Sequence, residues 1–183
     1  MIFNKHSDLR GQHAFLSASK YHWIRYSPEK LEESFLNYTA AQRGTELHDF
    51  ARRCIELGIR LPKANATLNL FVNDAIRYEM TPEQTLYYSP NCFGTADAIA
   101  FRRKLLRIHD LKTGVTPASM DQLLIYASLF CLEYGRKPKE IDVELRIYQS
   151  DQCLIYNPDP EEISGVMSTI VDFDRRIEEL KGA

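Results

Sequence analysis

The chain has 183 residues, of which 44% are hydrophobic and 26% charged, and a formal net charge of −2 at pH 7. This length suits a single domain, residues 1–183, that builds its core without disulfides or structural metals. No run approaches the roughly 18 apolar residues of a membrane helix. The near-neutral charge excludes a globally basic nucleic-acid-binding domain, so any nucleic-acid site must be local. We therefore expect a soluble α/β domain with no membrane partner.

The N-terminus and the cysteines indicate a cellular compartment. The first fifteen residues, MIFNKHSDLRGQHAF, lack the apolar core and the small-residue cleavage site of a secretory signal. The cysteines Cys54, Cys92, Cys131 and Cys153 stand singly rather than in CxxC pairs. This spacing argues against a zinc ribbon and against a disulfide framework. We expect a cytoplasmic protein with reduced, mostly buried thiols.

The first half of the chain has the patterns of helices. LSASKYHWIRYSP predicts a short helix that ends before Pro28, followed by a helical turn or a loop. In TAAQRGTELHDFARRCIELG, apolar residues recur with helical spacing, and Gly58 suits the position just after a helix. A less regular helix is predicted over 66–80, before Pro82 interrupts the pattern.

The second half begins with the patterns of strands. TLYYS, FGTADAIAF and LLRIHDL are short and rich in β-formers, and RRK predicts a tight connection between the last two. ASMDQLLIYASLFCLEYG returns to helical spacing and ends at Gly135. IDVELRIYQ and CLIYN predict one or two further strands, and a last helix runs from Pro160 to Leu180. The order predicts an α/β fold with a mixed central sheet, in which a three-stranded meander, a crossover helix and one or two further strands are flanked by helices.

One pair of predicted strands brings acidic residues together. Positions 97 and 110 are symmetric about a turn at 103–104, so antiparallel pairing places Asp97 opposite Asp110, with β-carbons on the order of 5 Å apart. Lys112 follows two residues later and shares the strand face of Asp110. Facing carboxylates repel each other unless a cation lies between them, and such oxygen ligands suit Mg²⁺ or Mn²⁺. With a lysine beside the metal, this layout is typical of phosphodiester cleavage.

Three further residues are ambiguous when taken alone. Gln122 and Tyr126 are four residues apart and share one helix face, and His48 lies at the edge of an apolar helical stripe. Each of the three is compatible with an ordinary structural role. His109 alternates with Asp110 along the predicted strand, so we expect it to face the other side of the sheet as a packing residue.

The ordered set GTELH, GTADAI, HDLKTG and QLLIY resembles the PD-(D/E)xK nuclease superfamily, and within it the RecB-like and phage exonuclease group. The resemblance covers most of the chain and implies a restriction-endonuclease-like core. We expect residues 1–40 to form an N-terminal helical segment, 41–157 the catalytic core and 158–183 a C-terminal helix.

The resemblance also implies roles for single residues. It implies that Lys112 is the catalytic lysine beside a bound Mg²⁺ or Mn²⁺, and that Gln122 and Tyr126 line the active site and help to hold that lysine and the DNA backbone. The implied metal ligands are His48, Asp97, Asp110 and the backbone carbonyl of Leu111.

The N-terminal segment bears on cofactors and on DNA binding. Relatives with an iron–sulfur cluster need a cysteine where Tyr26-Ser27-Pro28 stands here and three more near the C-terminus, so we expect no such cluster. Aromatic residues such as Trp23 can stack on unpaired bases or pack against the next helix. The other candidates for DNA contacts are Arg25, Arg43, Arg102 and Arg103, with a solvated turn as the alternative for the last two.

The residues and the resemblance together predict a metal-dependent deoxyribonuclease, and the resemblance implies an exonuclease in recombination, repair or phage DNA processing. A homo-oligomer, or a recombinase or annealing partner, would supply the DNA affinity that a net charge of −2 does not. Two alternatives stay open: a non-catalytic nucleic-acid-binding or protein-binding module that keeps the nuclease fold, and a structure-specific or site-specific endonuclease. The intact Asp97, Asp110 and Lys112 argue against the first, and the chain has little spare length for the recognition segments of a site-specific enzyme.

Overall fold

A computed structural model describes residues 14–182, so the expectation about a secretory signal falls mostly on residues outside the described range. The chain divides into two compact units, residues 1–45 and 46–183. In the described range the helices are α1 (Pro28–Leu57), α2 (Thr67–Arg77), α3 (Asp121–Glu133) and α4 (Pro160–Lys181). The strands are β1 (Thr81–Ser89), β2 (Cys92–Arg102), β3 (Leu105–Leu111), β4 (Asp142–Gln149) and β5 (Gln152–Tyr156).

The first unit contains a short 3-10 helix and the beginning of α1. The 3-10 helix covers Ala18–Arg25, and the indole N–H of Trp23 donates a hydrogen bond to the carbonyl of Ser17 at 2.9 Å. Helix α1 begins at Pro28, earlier than the sequence pattern predicts. Proline is common at the first position of a helix because its missing N–H would have no partner there. Pro28 therefore marks the start of a long helix rather than a break.

The second unit is built on a mixed sheet whose five described strands lie in the order β1-β2-β3-β4-β5. Strands β1 to β3 form an antiparallel meander, β4 runs parallel to β3, and β5 is antiparallel to β4. The parallel pair is possible because α3 crosses between β3 and β4. The predicted order of a meander, a crossover helix and further strands is confirmed, with both of the last two strands present.

The β2–β3 pair keeps the register that the sequence predicts. Ala98 pairs with His109, and the turn at 103–104 has positive φ at both of its residues. This is the conformation of a two-residue hairpin turn whose twist matches that of the strands. Ala98–His109 is the last recorded pair, and the same register continued by one step sets Asp97 opposite Asp110.

Strand β1 lies at the edge of the sheet and contains Pro82. An edge strand tolerates proline because the missing N–H can face away from the ladder. The strand starts at Thr81, so the predicted segment TLYYS was too short. The extra residues include Glu83, which lies opposite Asp97 between the paired residues on either side of it.

A hydrophobic layer covers each face of the sheet. On one face, α3 and α4 pack over residues such as Leu106. On the other face, α2 and the C-terminal part of α1 pack over Leu111 and Tyr148. His109 is fully buried and contacts Tyr148, so the prediction that it faces away from the Asp110 side is confirmed.

The cysteines are all unpaired thiols, two buried and two half-buried. Burial raises the pKa of the Cys131 thiol to about 11, which keeps it protonated and unreactive. Within residues 14–182, no helix combines the length and the hydropathy needed to span a bilayer.

Candidate metal centre and active site

Elements distant in sequence bring the candidate residues to one end of the sheet. Strand β2 begins and β3 ends at this end because the two strands are antiparallel. Helix α1 reaches it from the α2 side and α3 from the opposite side. The residues placed here are His48 on α1, Asp97 on β2, Asp110 and Lys112 on and just after β3, and Gln122 and Tyr126 on α3.

Asp97 lies at the centre of the metal-ligand candidates. Its Oδ1 lies 3.5 Å from Nδ1 of His48, and its Oδ2 accepts a hydrogen bond from the backbone N–H of Leu111 at 2.8 Å. The contact with Asp97 raises the pKa of His48. The N–H and C=O of a strand residue point to the same neighbour, so the carbonyl of Leu111 also faces the Asp97 side.

Glu83 belongs to the same group, and sequence analysis missed it. The side chains of His48, Glu83 and Asp97 offer three ligand atoms that all lie within 4.8 Å of one another. The φ angle of Glu83 is 49°, a conformation that is disfavoured for residues with a β-carbon. Burial, and then the charge of Asp97, raise the pKa of Glu83. Backbone strain and crowded charge at one residue are typical of functional sites.

A chain of hydrogen bonds fixes the lysine that follows β3. Nζ of Lys112 donates to Oδ1 of Asp110 at 3.1 Å and to Oε1 of Gln122 at 2.7 Å. Nε2 of Gln122 in turn donates to the hydroxyl of Tyr126 at 3.0 Å. The structure therefore places Gln122 and Tyr126 on one helix face beside Lys112, and this contact orients the ammonium group.

Asp110 is an almost completely buried carboxylate, with 2% of its surface exposed. Its Oδ2 forms an ion pair with Nζ of Lys112 at 3.0 Å, but it accepts no hydrogen bond among the described residues. Burial, and then the charge of Asp97, raise the pKa of Asp110. Buried polar atoms nearly always take part in a hydrogen bond, so a buried carboxylate oxygen that accepts none and lies near other carboxylates fits the ligand of a cation.

Gly94 makes room for the tyrosine of this chain. A β-carbon at Gly94 would lie 2.9 Å from Cε1 of Tyr126, which is closer than van der Waals contact allows. Tyr126 is 9% exposed and is held by Gln122, so its ring has little freedom to move away. The glycine in GTADAI therefore lets α3 bring Tyr126 against β2.

Gln149, at the end of β4, holds the loop that follows Lys112. Its Nε2 donates to the carbonyls of Gly114 and Thr116 at 2.7 and 2.8 Å, and its Oε1 accepts a hydrogen bond from the N–H of Ala118 at 3.2 Å. Three bonds from one side chain fix the path of this loop. Sequence analysis gave no signal for this role, because Gln149 meets the loop only through the β3–β4 pairing.

A second polar cluster supports β3 from the α2 face. Asp74 accepts hydrogen bonds from Tyr148 at 2.8 Å and from Arg146 at 3.1 Å, and the Tyr148 hydroxyl lies 3.4 Å from Nδ1 of His109. Burial, and then the charge of Arg146, lower the pKa of His109 to about 3. The imidazole is therefore neutral at physiological pH and anchors the strand directly behind Asp110.

The candidates for DNA contacts are spread over both units. Trp23 is half-buried and Arg25 and Arg43 are exposed in the first unit. Arg102 and Arg103 lie at the β2–β3 turn, where Arg102 pairs with Leu105. Leu105 lies six residues before Leu111, which at about 3.3 Å per residue is about 20 Å along the strand. Arg102 also forms an ion pair with Glu79. The structure therefore places Arg102 and Arg103 at the opposite end of the strands from Lys112.

Comparison of the chain with protein-family models, with curated proteins and with solved structures gave no match.

Proposed function

We propose that this chain is a metal-dependent deoxyribonuclease of the PD-(D/E)xK type, with a restriction-endonuclease-like core, and most simply an exonuclease. The observation that carries the proposal is the buried Asp110, one oxygen of which is ion-paired with Lys112 but accepts no hydrogen bond among the described residues, and which lies within the field of the Asp97 charge. One lysine compensates one carboxylate, so it is costly to hold Asp110, Asp97 and Glu83 together unless a further cation lies between them.

The residues at the site fit a divalent cation with a preference for oxygen. Mg²⁺ and Mn²⁺ accept carboxylate and carbonyl oxygens, and Mn²⁺ also accepts imidazole. When bound, the cation would supply Lewis-acid activation of the phosphate. The side chains that would hold it are His48, Glu83, Asp97 and Asp110, together with the carbonyl of Leu111.

Lys112 provides a positioned positive charge for the reaction. An ammonium group has three donors, and Asp110 and Gln122 take two of them. The third remains for the attacking water or for a phosphate oxygen. A donor fixed in this way stabilises the negative charge that develops at phosphorus without having to reorganise. The bond from Gln122 to Tyr126 holds the amide group whose oxygen accepts a hydrogen bond from Lys112.

The same features argue against a non-catalytic module that keeps the nuclease fold. A binding module has no use for the burial of Asp110 or for the strained backbone of Glu83, both of which oppose folding. A function that needs these two residues in place accounts for both costs.

A nuclease assay tests the proposal directly. The protein is incubated with linear and with circular duplex DNA in the presence of Mg²⁺, Mn²⁺ or EDTA. We expect metal-dependent degradation of linear DNA, and a loss of at least about 100-fold in rate for Asp110→Asn and for Lys112→Ala, as for other groups that stabilise transition-state charge. Asp142→Asn and Lys63→Ala are matched controls, since they change exposed residues of the same types.

The outcomes separate the parts of the proposal. Cleavage that neither Asp110→Asn nor Lys112→Ala slows would contradict the nuclease assignment. If circular DNA is cut as fast as linear DNA, the exonuclease assignment is contradicted but the nuclease assignment stands. Metal binding without any cleavage would favour the non-catalytic module.

A further inference from the structure

A pocket of about 270 Å³ lies directly beside the candidate active site. Its walls come from α1, the start of α2, the end of β3 and the loop after Lys112. Leu47 in its wall precedes His48, and Leu111 and Lys112 follow Asp110. Because Lys112 itself lines the pocket, a group bound there would lie next to a residue that we propose to act on the phosphate.

Most residues that line the pocket are apolar or carry a hydroxyl group. Among the described residues that line it, Lys112 is the only one with a charged side chain. Val115 is 91% exposed and Leu47 39% exposed, so these apolar side chains face solvent. This lining suits a mostly neutral group that has both apolar surface and hydrogen-bonding atoms. Its apolar side chains are Leu47, Leu68, Leu111 and Val115, and its hydroxyls belong to Thr67, Thr113 and Ser150.

Two sets of hydrogen bonds hold the pocket in shape. The N–H of Thr67 donates to Oδ1 of Asp151 at 2.9 Å, and the N–H of Asp151 donates to Oγ1 of Thr67 at 2.7 Å. This reciprocal pair ties the start of α2 to the β4–β5 turn. Gln149 fixes the loop on the other side. A preformed pocket binds its ligand without first having to order its own walls.

We propose that this pocket receives the nucleobase of the terminal nucleotide of DNA while the adjoining phosphate lies at Lys112. The inference rests on the proposed nuclease function. The volume is just below the roughly 300–1,000 Å³ of pockets that enclose drug-sized ligands, so it takes one ring system and not a base pair. Enzymes that act on extruded bases hold them between apolar side chains and bind their edges. A base at a DNA end leaves the stack more easily than an internal one, which would direct cleavage to ends.

Nucleotide binding tests the pocket without any cleavage. Calorimetric titrations of the full chain in Ca²⁺ compare thymidine 5′-monophosphate with deoxyribose 5-phosphate, which lacks the base. We expect the nucleotide to bind about tenfold more tightly than deoxyribose 5-phosphate, because its base removes apolar surface of the pocket from water. The double variant Leu47→Asn, Val115→Asn should lose this difference, and its exposed positions should leave the fold intact.

Leu154→Asn serves as the matched control. Leu154 is an apolar residue of β5, 57% exposed, and does not line the pocket, so this variant should keep the tenfold difference. Equal affinities of the wild-type protein for the two compounds, or a double variant that retains the difference, would overturn the inference.

A cleavage comparison separates this inference from the proposed function. Linear duplexes with intact or with abasic terminal nucleotides are digested in Mg²⁺, and Mn²⁺ binding is measured in parallel. We expect abasic ends to be cut about tenfold more slowly. If cleavage requires metal but both ends are cut equally fast, the pocket inference fails and the nuclease stands. If the chain neither binds Mn²⁺ nor cleaves DNA while it still prefers the nucleotide, the nuclease proposal fails and the pocket stands.

Discussion

Glu83 combines a left-handed backbone conformation with a place in the candidate metal group. Its φ angle of 49° lies within strand β1, where such a conformation costs about 1–3 kcal/mol for a residue other than glycine. Glycine would remove this strain, but it would also remove the carboxylate. The strained backbone therefore lowers the stability of the fold and places a carboxylate oxygen close to His48 and Asp97.

The substitution Glu83→Gly should move stability and metal affinity in opposite directions. Loss of the strain should raise the free energy of unfolding of the metal-free protein by about 1 kcal/mol. Loss of the carboxylate should weaken Mn²⁺ binding at least about tenfold. Removing a residue that only supports a metal ligand already weakens binding by about 10-fold to 100-fold. Urea unfolding in EDTA measures the first quantity, and calorimetric titration with Mn²⁺ measures the second.

Glu79→Gly is the matched control for this experiment. Glu79 has a similar φ of 51° and lies just after α2, where it forms an exposed ion pair with Arg102 that contributes little to stability. This variant should also stabilise the protein, but it should leave Mn²⁺ affinity unchanged. Wild-type Mn²⁺ affinity in Glu83→Gly would remove Glu83 from the set of ligands.

At the scale of the elements, the bounds of β3 and the register of the β2–β3 pair follow from local sequence patterns. The predicted segment LLRIHDL coincides with β3, because apolar β-formers and the tight turn before it define both of its ends. Once that turn is placed, antiparallel symmetry alone sets Asp97 against Asp110. Gly58 and Gly135 both have positive φ, as expected for residues that follow a helix.

Two prolines explain where the boundaries were wrong. The sequence pattern predicts that a helix ends before Pro28 and that Pro82 interrupts a helical pattern, but Pro28 starts α1 and Pro82 lies inside an edge strand. Proline marks a missing donor, and only the tertiary setting shows whether that donor was needed. The second error also hid Glu83, because the predicted strand began after it. Gln149 was missed for a different reason, since its partners lie in a loop distant in sequence.

The close contact between Tyr126 on α3 and Gly94 on β2 predicts that a methyl group added at Gly94 destabilises the protein. Gly94→Ala places a β-carbon 2.9 Å from the ring of Tyr126, and overpacking of a buried contact typically costs about 1–3 kcal/mol. We expect the free energy of unfolding to fall by this amount, and DNA cleavage to slow because Tyr126 and Gln122 orient Lys112. Urea denaturation and the nuclease assay measure the two effects.

Gly165→Ala tests whether the effect at Gly94 comes from the contact. Gly165 lies inside α4, and a β-carbon there would meet no atom within 4 Å. Since alanine favours helix over glycine by up to about 1 kcal/mol, this variant should stabilise the protein and leave cleavage unchanged. An equal loss of stability in both variants would mean that packing against Tyr126 does not explain the role of Gly94.

At the scale of the whole molecule, the small net charge of −2 hides an uneven distribution. Carboxylates of Glu83, Asp97 and Asp110 converge at one end of the sheet, and burial raises the pKa of both Glu83 and Asp110. A carboxyl group whose pKa is raised by folding stabilises the fold while it is protonated. That stabilisation is lost as the pH rises through the raised pKa. In the absence of metal, this end of the molecule therefore opposes folding at neutral pH.

Metal binding should reverse this effect, so Mn²⁺ should raise the Tm of the protein, and more at pH 7.5 than at pH 5. At a Mn²⁺ concentration of 100 times Kd, binding to the folded state alone adds about 2.7 kcal/mol. Protons compete for the same carboxylates at the lower pH, which reduces the gain there. Thermal unfolding with Mn²⁺ and with EDTA measures this rise in Tm at pH 7.5 and at pH 5. Asp97→Asn should abolish the shift and Asp142→Asn should keep it, whereas an equal shift in both variants would place the bound metal elsewhere in the chain.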